Sequence, residues 1–203
     1  MNLDNTLLLK EAVNEIRKIP NVRGIVHFGS STYSEKYNDV DIMVFFDKVI
    51  PCLELMPICE KYSKNNFWIE GQDNSELSPG INAFKKCWSN NKNKKVLFGE
   101  DPYANAKVDV TKKDVAQYIA FQYKLRYFFD FSYENVLSVC MNAMLAYADK
   151  FPQSKQETIT VFKDAYPDFA KYLPDNVNLA KITKEDFVKL YNFFEATLTY
   201  FMN

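Results

Sequence analysis

Two aspartates, Asp39 and Asp41, open the otherwise apolar run D-V-D-I-M-V-F-F, and eight residues separate them from a Gly-Ser pair, Gly29–Ser30. On a strand, side chains alternate between faces, so the two carboxylates share one face while Val40, Ile42 and Val44 take the other. Two like charges side by side are costly unless a cation neutralises them. Hard carboxylate oxygens suit Mg²⁺, which keeps several waters and completes its shell from substrate phosphates. The Gly-Ser pair follows a second apolar run, I-V-H-F, and opens a short polar excursion. Backbone N–H groups at such a turn seat an anion, and glycine lets a phosphate approach the chain closely. The Ser30 hydroxyl adds a donor. A phosphate seat followed by a dicarboxylate strand describes metal-assisted phosphoryl or nucleotidyl transfer.

The ordered set Gly29-Ser30 … Asp39-Val40-Asp41-Ile42 resembles the signature of the DNA polymerase β-like nucleotidyltransferase superfamily. The chain length is similar to that of its minimal and antibiotic-modifying branches. The resemblance implies two Mg²⁺ ions held by Asp39 and Asp41, and an NTP whose phosphates are gripped by Gly29, Ser30 and Ser31. It also implies a third acid on a following strand, completing the metal site or serving as base for the acceptor hydroxyl. Glu70, at the end of N-F-W-I-E and before Gly71, is the candidate, with Asp73 as fallback and a two-acid site as a further alternative. Relatives carry an arginine just after the Gly-Ser. Here Thr32, Tyr33 and Ser34 stand there, which leaves Lys36 as a weak candidate for neutralising the triphosphate. Asn38 replaces the serine that commonly precedes the first aspartate. The segment V-L-F-G-E-D-P, ending at Pro102, resembles the strand that closes the catalytic domain in these families. A surface strand with two solvated aspartates is the plain alternative, and it explains neither the apolar flanks nor the glycine.

Several elements must position these groups. Apolar residues at helical spacing predict a helix over 3–19, closed by Pro20. A second helix is expected over 51–62, broken or kinked at Pro57, and a third from Pro79 to Asn91. From Thr111 the character changes. Thr111-x-x-Asp114 resembles a capping box, and helices are expected from there to 129, then over 132–150, 156–165 and 183–202, with prolines 152, 167 and 174 in the connections. The expectation is therefore α+β: a small mixed-sheet nucleotidyltransferase domain over 1–110, then an antiparallel helical bundle over 111–203. That bundle resembles the C-terminal domain of aminoglycoside- and lincosamide-type nucleotidyltransferases, which implies a second cleft wall that selects the acceptor. Its aromatics, among them Tyr118, Phe121, Tyr123, Tyr127, Phe128, Phe129, Tyr191, Phe193 and Phe194, recur near helical spacing, mostly as core residues, with one or two at the cleft available to stack on a base or hold an acceptor. A fused HEPN-type RNase is disfavoured, because that chemistry needs a histidine and none lies beyond His27.

Bulk composition narrows the function classes. A hydrophobic fraction of 47% over 203 residues supports a proper core, and a net charge of −1 argues against a dedicated nucleic-acid binder. No apolar run reaches membrane-spanning length and no signal-peptide pattern opens the chain, so a cytoplasmic protein with no membrane partner is expected. Four cysteines without C-x-x-C spacing, and one histidine, make a zinc site improbable and fit buried free thiols. His27, on an apolar strand, reads as structural. Lys85, Lys86, Lys92, Lys94 and Lys95 form a basic cluster, first explained as a solvated helix face and second as a contact for triphosphate or an RNA end. Two functions follow. One is Mg²⁺-dependent transfer of an NMP, from ATP first of all, to a hydroxyl on a small molecule, protein or RNA end. The other is a catalytically weak nucleotide-binding regulator or antitoxin-like partner on the same fold. A homodimer is compatible with both.

Overall fold

The computed structural model describes residues 3–73, 79–129, 133–173 and 184–203; of these, the side chains of residues 3, 122–129, 133–136, 139, 184, 186 and 187 are not described. Four strands, β1 (Val22–Phe28), β2 (Val40–Phe46), β3 (Phe67–Asp73) and β4 (Lys94–Gly99), form one mixed sheet in the order β3-β2-β1-β4. β1 is antiparallel to β2 and β4, while β2 and β3 are parallel. The parallel pair requires a crossover, which α2 (Cys52–Ser63) supplies.

Alternation along β2 decides what lies on each face. Val40, Ile42, Val44 and Phe46 are buried in one core with Leu9, Ala12 and Ile16 of α1 (Leu3–Ile16) and with Leu55 and Tyr62 of α2. Each of the Val, Leu, Ile and Phe side chains contributes about 2 kcal/mol on burial. Glu15 ties the two helices, accepting from Lys61 Nζ at 2.6 Å and from the Tyr62 hydroxyl at 2.9 Å. On the other face Met43 and Phe45 are buried, and Phe45 meets Tyr103 edge-on at 5.4 Å.

Three places bear on the sequence expectation. α2 runs unbroken through Pro57; the residue is exposed, and the proline forfeits the bond to the Leu53 carbonyl. The polar excursion after Gly29 holds a single 3₁₀ turn, Ser30–Thr32. β3 continues past Gly71 to Asp73, which places Glu70 in mid-strand.

Contacts divide the chain into two units, Met1–Glu76 with Asn91–Asn105, and Leu77–Asn90 with Ala106–Asn203. The second contains α3 (Ile81–Asn90), α4 (Lys112–Phe129), α5 (Tyr133–Tyr147), α6 (Lys155–Ala165) and α7 (Lys184–Met202). α3 falls within the span 1–110 expected for the first domain, yet it packs on α4 and α5. Ala83 is fully buried beside Val115, Ile119 and Met144, and the Cys87 thiol reaches the Asn142 carbonyl at 3.3 Å. At Gly80, with φ +70°, a Cβ would overlap the Asp114 carbonyl and the Tyr118 backbone. The Thr111–Asp114 capping box is formed: the Thr111 N–H donates to Asp114 Oδ2 at 2.8 Å, and the Asp114 N–H to Thr111 Oγ1 at 3.2 Å. Phe193, Phe194 and Phe162 are core residues of this unit, whereas Tyr191 is exposed. The side chains of Tyr123, Tyr127, Phe128 and Phe129, and Thr183, the first residue of the last expected helix, lie outside the described residues. No described helix is long and apolar enough to cross a membrane.

Candidate active site

Asp41 is the second residue of β2 and Asp39 immediately precedes the strand, so both sit where the chain re-enters the sheet after the Gly-Ser turn. Asp39 is exposed and Asp41 half-buried. In the register Asp41 pairs with Phe28, the last residue of β1, so the turn at Gly29 leaves the sheet beside that carboxylate. Gly29 has φ +79°, a region that L side chains rarely adopt. A Cβ there would also overlap Asp41 Oδ2. Glycine is required twice over, for its backbone angle and for the room it gives the acid.

The turn is closed by its own bonds. Thr32 donates to the Gly29 carbonyl through its N–H at 3.2 Å and its hydroxyl at 2.7 Å, and the Ser34 N–H bonds the Ser30 carbonyl at 2.9 Å. The N–H groups at the first positions of such a turn have no partner within it. Ser31 is buried, and its hydroxyl lies 2.8 Å from His27 Nε2. That hydroxyl is committed to the interior, so only the Ser31 backbone remains for the phosphate role expected of it. Burial pushes the His27 pKa below the usual histidine value, with the nearby Lys95 adding to it. Lys36 is exposed, and its backbone N–H is held by Ser34 Oγ at 3.1 Å.

Glu70 pairs with Met43, and Trp68, two residues earlier, pairs with Asp41. Partners in neighbouring strands share a face, so Trp68 and Glu70 stand on the same face as Asp41. Glu70 is one alternation farther along the strand, roughly 7 Å from the Trp68 position. Its carboxylate accepts the Trp68 indole N–H at 2.6 Å. Among the described residues no group of three or more His, Cys, Asp or Glu is placed to hold a metal ion. The donor set near the turn is a pair of carboxylates. That pair fits Mg²⁺, which needs only one or two protein carboxylates when phosphates supply the rest. The role for Trp68 was missed from sequence, although its i, i+2 spacing from Glu70 was a usable signal.

The lysine cluster separates into distinct environments. Lys85 is buried, and Lys86 pairs with Asp149; neither belongs to a solvated helix face. Lys95 pairs in register with His27, and Lys94 with Phe28. Lys94 Nζ bonds Asp101 Oδ2 at 2.9 Å, and Asp101 Oδ1 also accepts the Tyr103 N–H at 3.0 Å. The cysteines are all free; Cys140 is buried and burial pushes the Cys87 thiol up to about 12, whereas Cys52 is exposed.

No family model and no curated protein sequence matches the chain. Among solved structures it is similar to a spectinomycin adenyltransferase from Enterococcus faecialis, solved with ATP and spectinomycin. The TM-score is 0.56 at 13% identity, covering 96% of this chain and 99% of that one. A toxin–antitoxin MntA–HpeT mutant matches with TM-score 0.34 and 15% identity, over 63% of this chain and 97% of that one. The likeness to the adenyltransferase spans nearly the whole of both chains, and the chain has the polymerase β-like nucleotidyltransferase fold, α+β, with its two aspartates where the Gly-Ser turn returns to the sheet.

Proposed function

We propose that this chain transfers a nucleoside monophosphate from an NTP to an acceptor hydroxyl. The observation that carries the proposal is the seat of Asp41 Oδ2 against the Cβ-less Gly29, which couples an anion-binding turn to a carboxylate. ATP is the first nucleotide to test, because it is bound in the spectinomycin adenyltransferase of the same fold. Asp39 and Asp41 would hold Mg²⁺, which when bound neutralises phosphate charge and activates the α-phosphorus. The backbone of Gly29, Ser30 and Ser31, with the Ser30 hydroxyl, would bind the β- and γ-phosphates. Glu70 would accept the acceptor hydroxyl's proton as its oxygen bonds the α-phosphorus, while the bridging α–β P–O bond breaks and pyrophosphate leaves. The Trp68 indole holds that carboxylate on the Asp41 face.

A nucleotide-binding regulator without transfer is the alternative, favoured by one observation: the described acids near the turn are a pair rather than a triad. Pyrophosphate release with Mg²⁺ and each NTP, in a lysate supplying acceptors, separates the two. Asp41→Asn should lower release at least about a hundredfold. Label from the NTP should appear in RNA, protein or a small molecule, and this identifies the acceptor. Wild type that binds ATP yet is as silent as the variant would leave the regulator.

A further inference from the structure

The sheet register brings a cation to the acid site that sequence spacing does not disclose. Phe28 is paired on one side with Asp41 and on the other with Lys94. Paired residues share a face, so Asp41, Phe28 and Lys94 make one row across three strands, at the end of the sheet from which the Gly29–Ser30 turn departs. Two interstrand steps place the Lys94 and Asp41 backbones on the order of 10 Å apart, and a lysine stem crosses much of that gap. Lys95, one residue on, takes the opposite face with His27. Lys36 is exposed on the loop, and Lys85 and Lys86 belong to the second unit.

The Lys94 side chain is 13% exposed and that of Asp101 2%. Such a pair seldom stabilises a fold beyond what apolar side chains of similar size would achieve, so packing alone does not account for it. Asp101 is fixed from both sides, by Lys94 on one oxygen and the Tyr103 N–H on the other. We propose that Lys94, oriented by Asp101, meets the polyphosphate of the nucleotide. The assignment rests on the nucleotidyl-transfer function above; Lys94 is a binding residue and Asp101 a positioning one.

Calorimetric titration with Mg·ATP and with AMP tests it. Lys94→Gln should bind Mg·ATP about tenfold more weakly, while AMP affinity stays within about twofold; a charge-assisted contact to phosphate is worth that much. Lys94→Arg should restore most of the difference. Because a lone Asp101 would be a buried uncompensated charge, the double variant Lys94→Gln/Asp101→Asn removes both charges together. It should melt cooperatively and show the same selective loss, and it decides the matter if the single variant does not fold. Variants that bind Mg·ATP like wild type, or that lose ATP and AMP by one factor, overturn the role of Lys94 and leave nucleotide binding standing. Wild type that binds neither nucleotide overturns nucleotidyl transfer itself, and the assignment with it.

Discussion

Gly29 is the residue on which the site geometry turns. Substitution to alanine meets two penalties, a backbone angle of φ +79° and overlap with the Asp41 carboxylate. Gly29→Ala should cost about 1–3 kcal/mol in chemical denaturation and weaken nucleotide binding more than Ser30→Ala does. His27 gives a second residue-scale expectation. Its folded pKa lies below the unfolded value because burial disfavours the cation. The unfolded chain therefore binds the proton first, and stability present above about pH 6.5 is lost as pH falls below it. Melting temperature between pH 7.5 and pH 5 should fall in the wild type and flatten in His27→Gln. At this scale the sequence was informative where chemistry and period coincide: the placement of Asp39, Asp41 and Gly29 at one end of the sheet could be read directly. Ser31 could not, because only the fold reveals that its hydroxyl faces His27. Nor could the Lys94–Asp101 pair, whose contact depends on the turn that Gly99 makes at φ +60°.

Elements were legible wherever a cap or an alternation marks them. Thr111 and Asp114 cap α4 reciprocally, as their spacing implies. Thr111→Ala should destabilise by about 1 kcal/mol and lower Tm by about 2–4 °C, read by calorimetry. β3 was harder. Gly71 suggested a strand end, since glycine has no side chain to pack, but pairing of Gly71 with Val44 and of Asp73 with Phe46 carries the strand onward. The parallel ladder with β2 outweighs the local preference. A Cβ at Gly71 would press on Ile50 and Leu55, so its glycine reflects close packing rather than termination. α2 shows the same priority: burial of Leu55 and Tyr62 in the first core outweighs the single bond that Pro57 forfeits.

For the whole molecule, α3 is the decisive element. It belongs to the helical unit, with Ala83 in that unit's core, even though β4, which follows it, belongs to the sheet. A fragment cut at residue 110 would keep α3 without its partners α4 and α5, leaving Ala83 uncovered. That fragment should bind a hydrophobic dye and elute as aggregates in size-exclusion chromatography, unlike the full chain. The composition shift at Thr111 could not disclose this. It marks where helices become continuous, whereas allegiance of a helix is set by which apolar face it finds.

The interleaving of the two units also bears on how such chains can be reshuffled. A single genetic crossover near residue 110 would deliver a sheet still carrying its old α3 to a foreign set of helices, where Gly80 would have to fit against a new Asp114 and Tyr118. Exchange of one helical part for another therefore requires two further joints, at the borders 76/77 and 90/91. Selection for new partners should then proceed by point substitution on a retained scaffold more readily than by swapping modules.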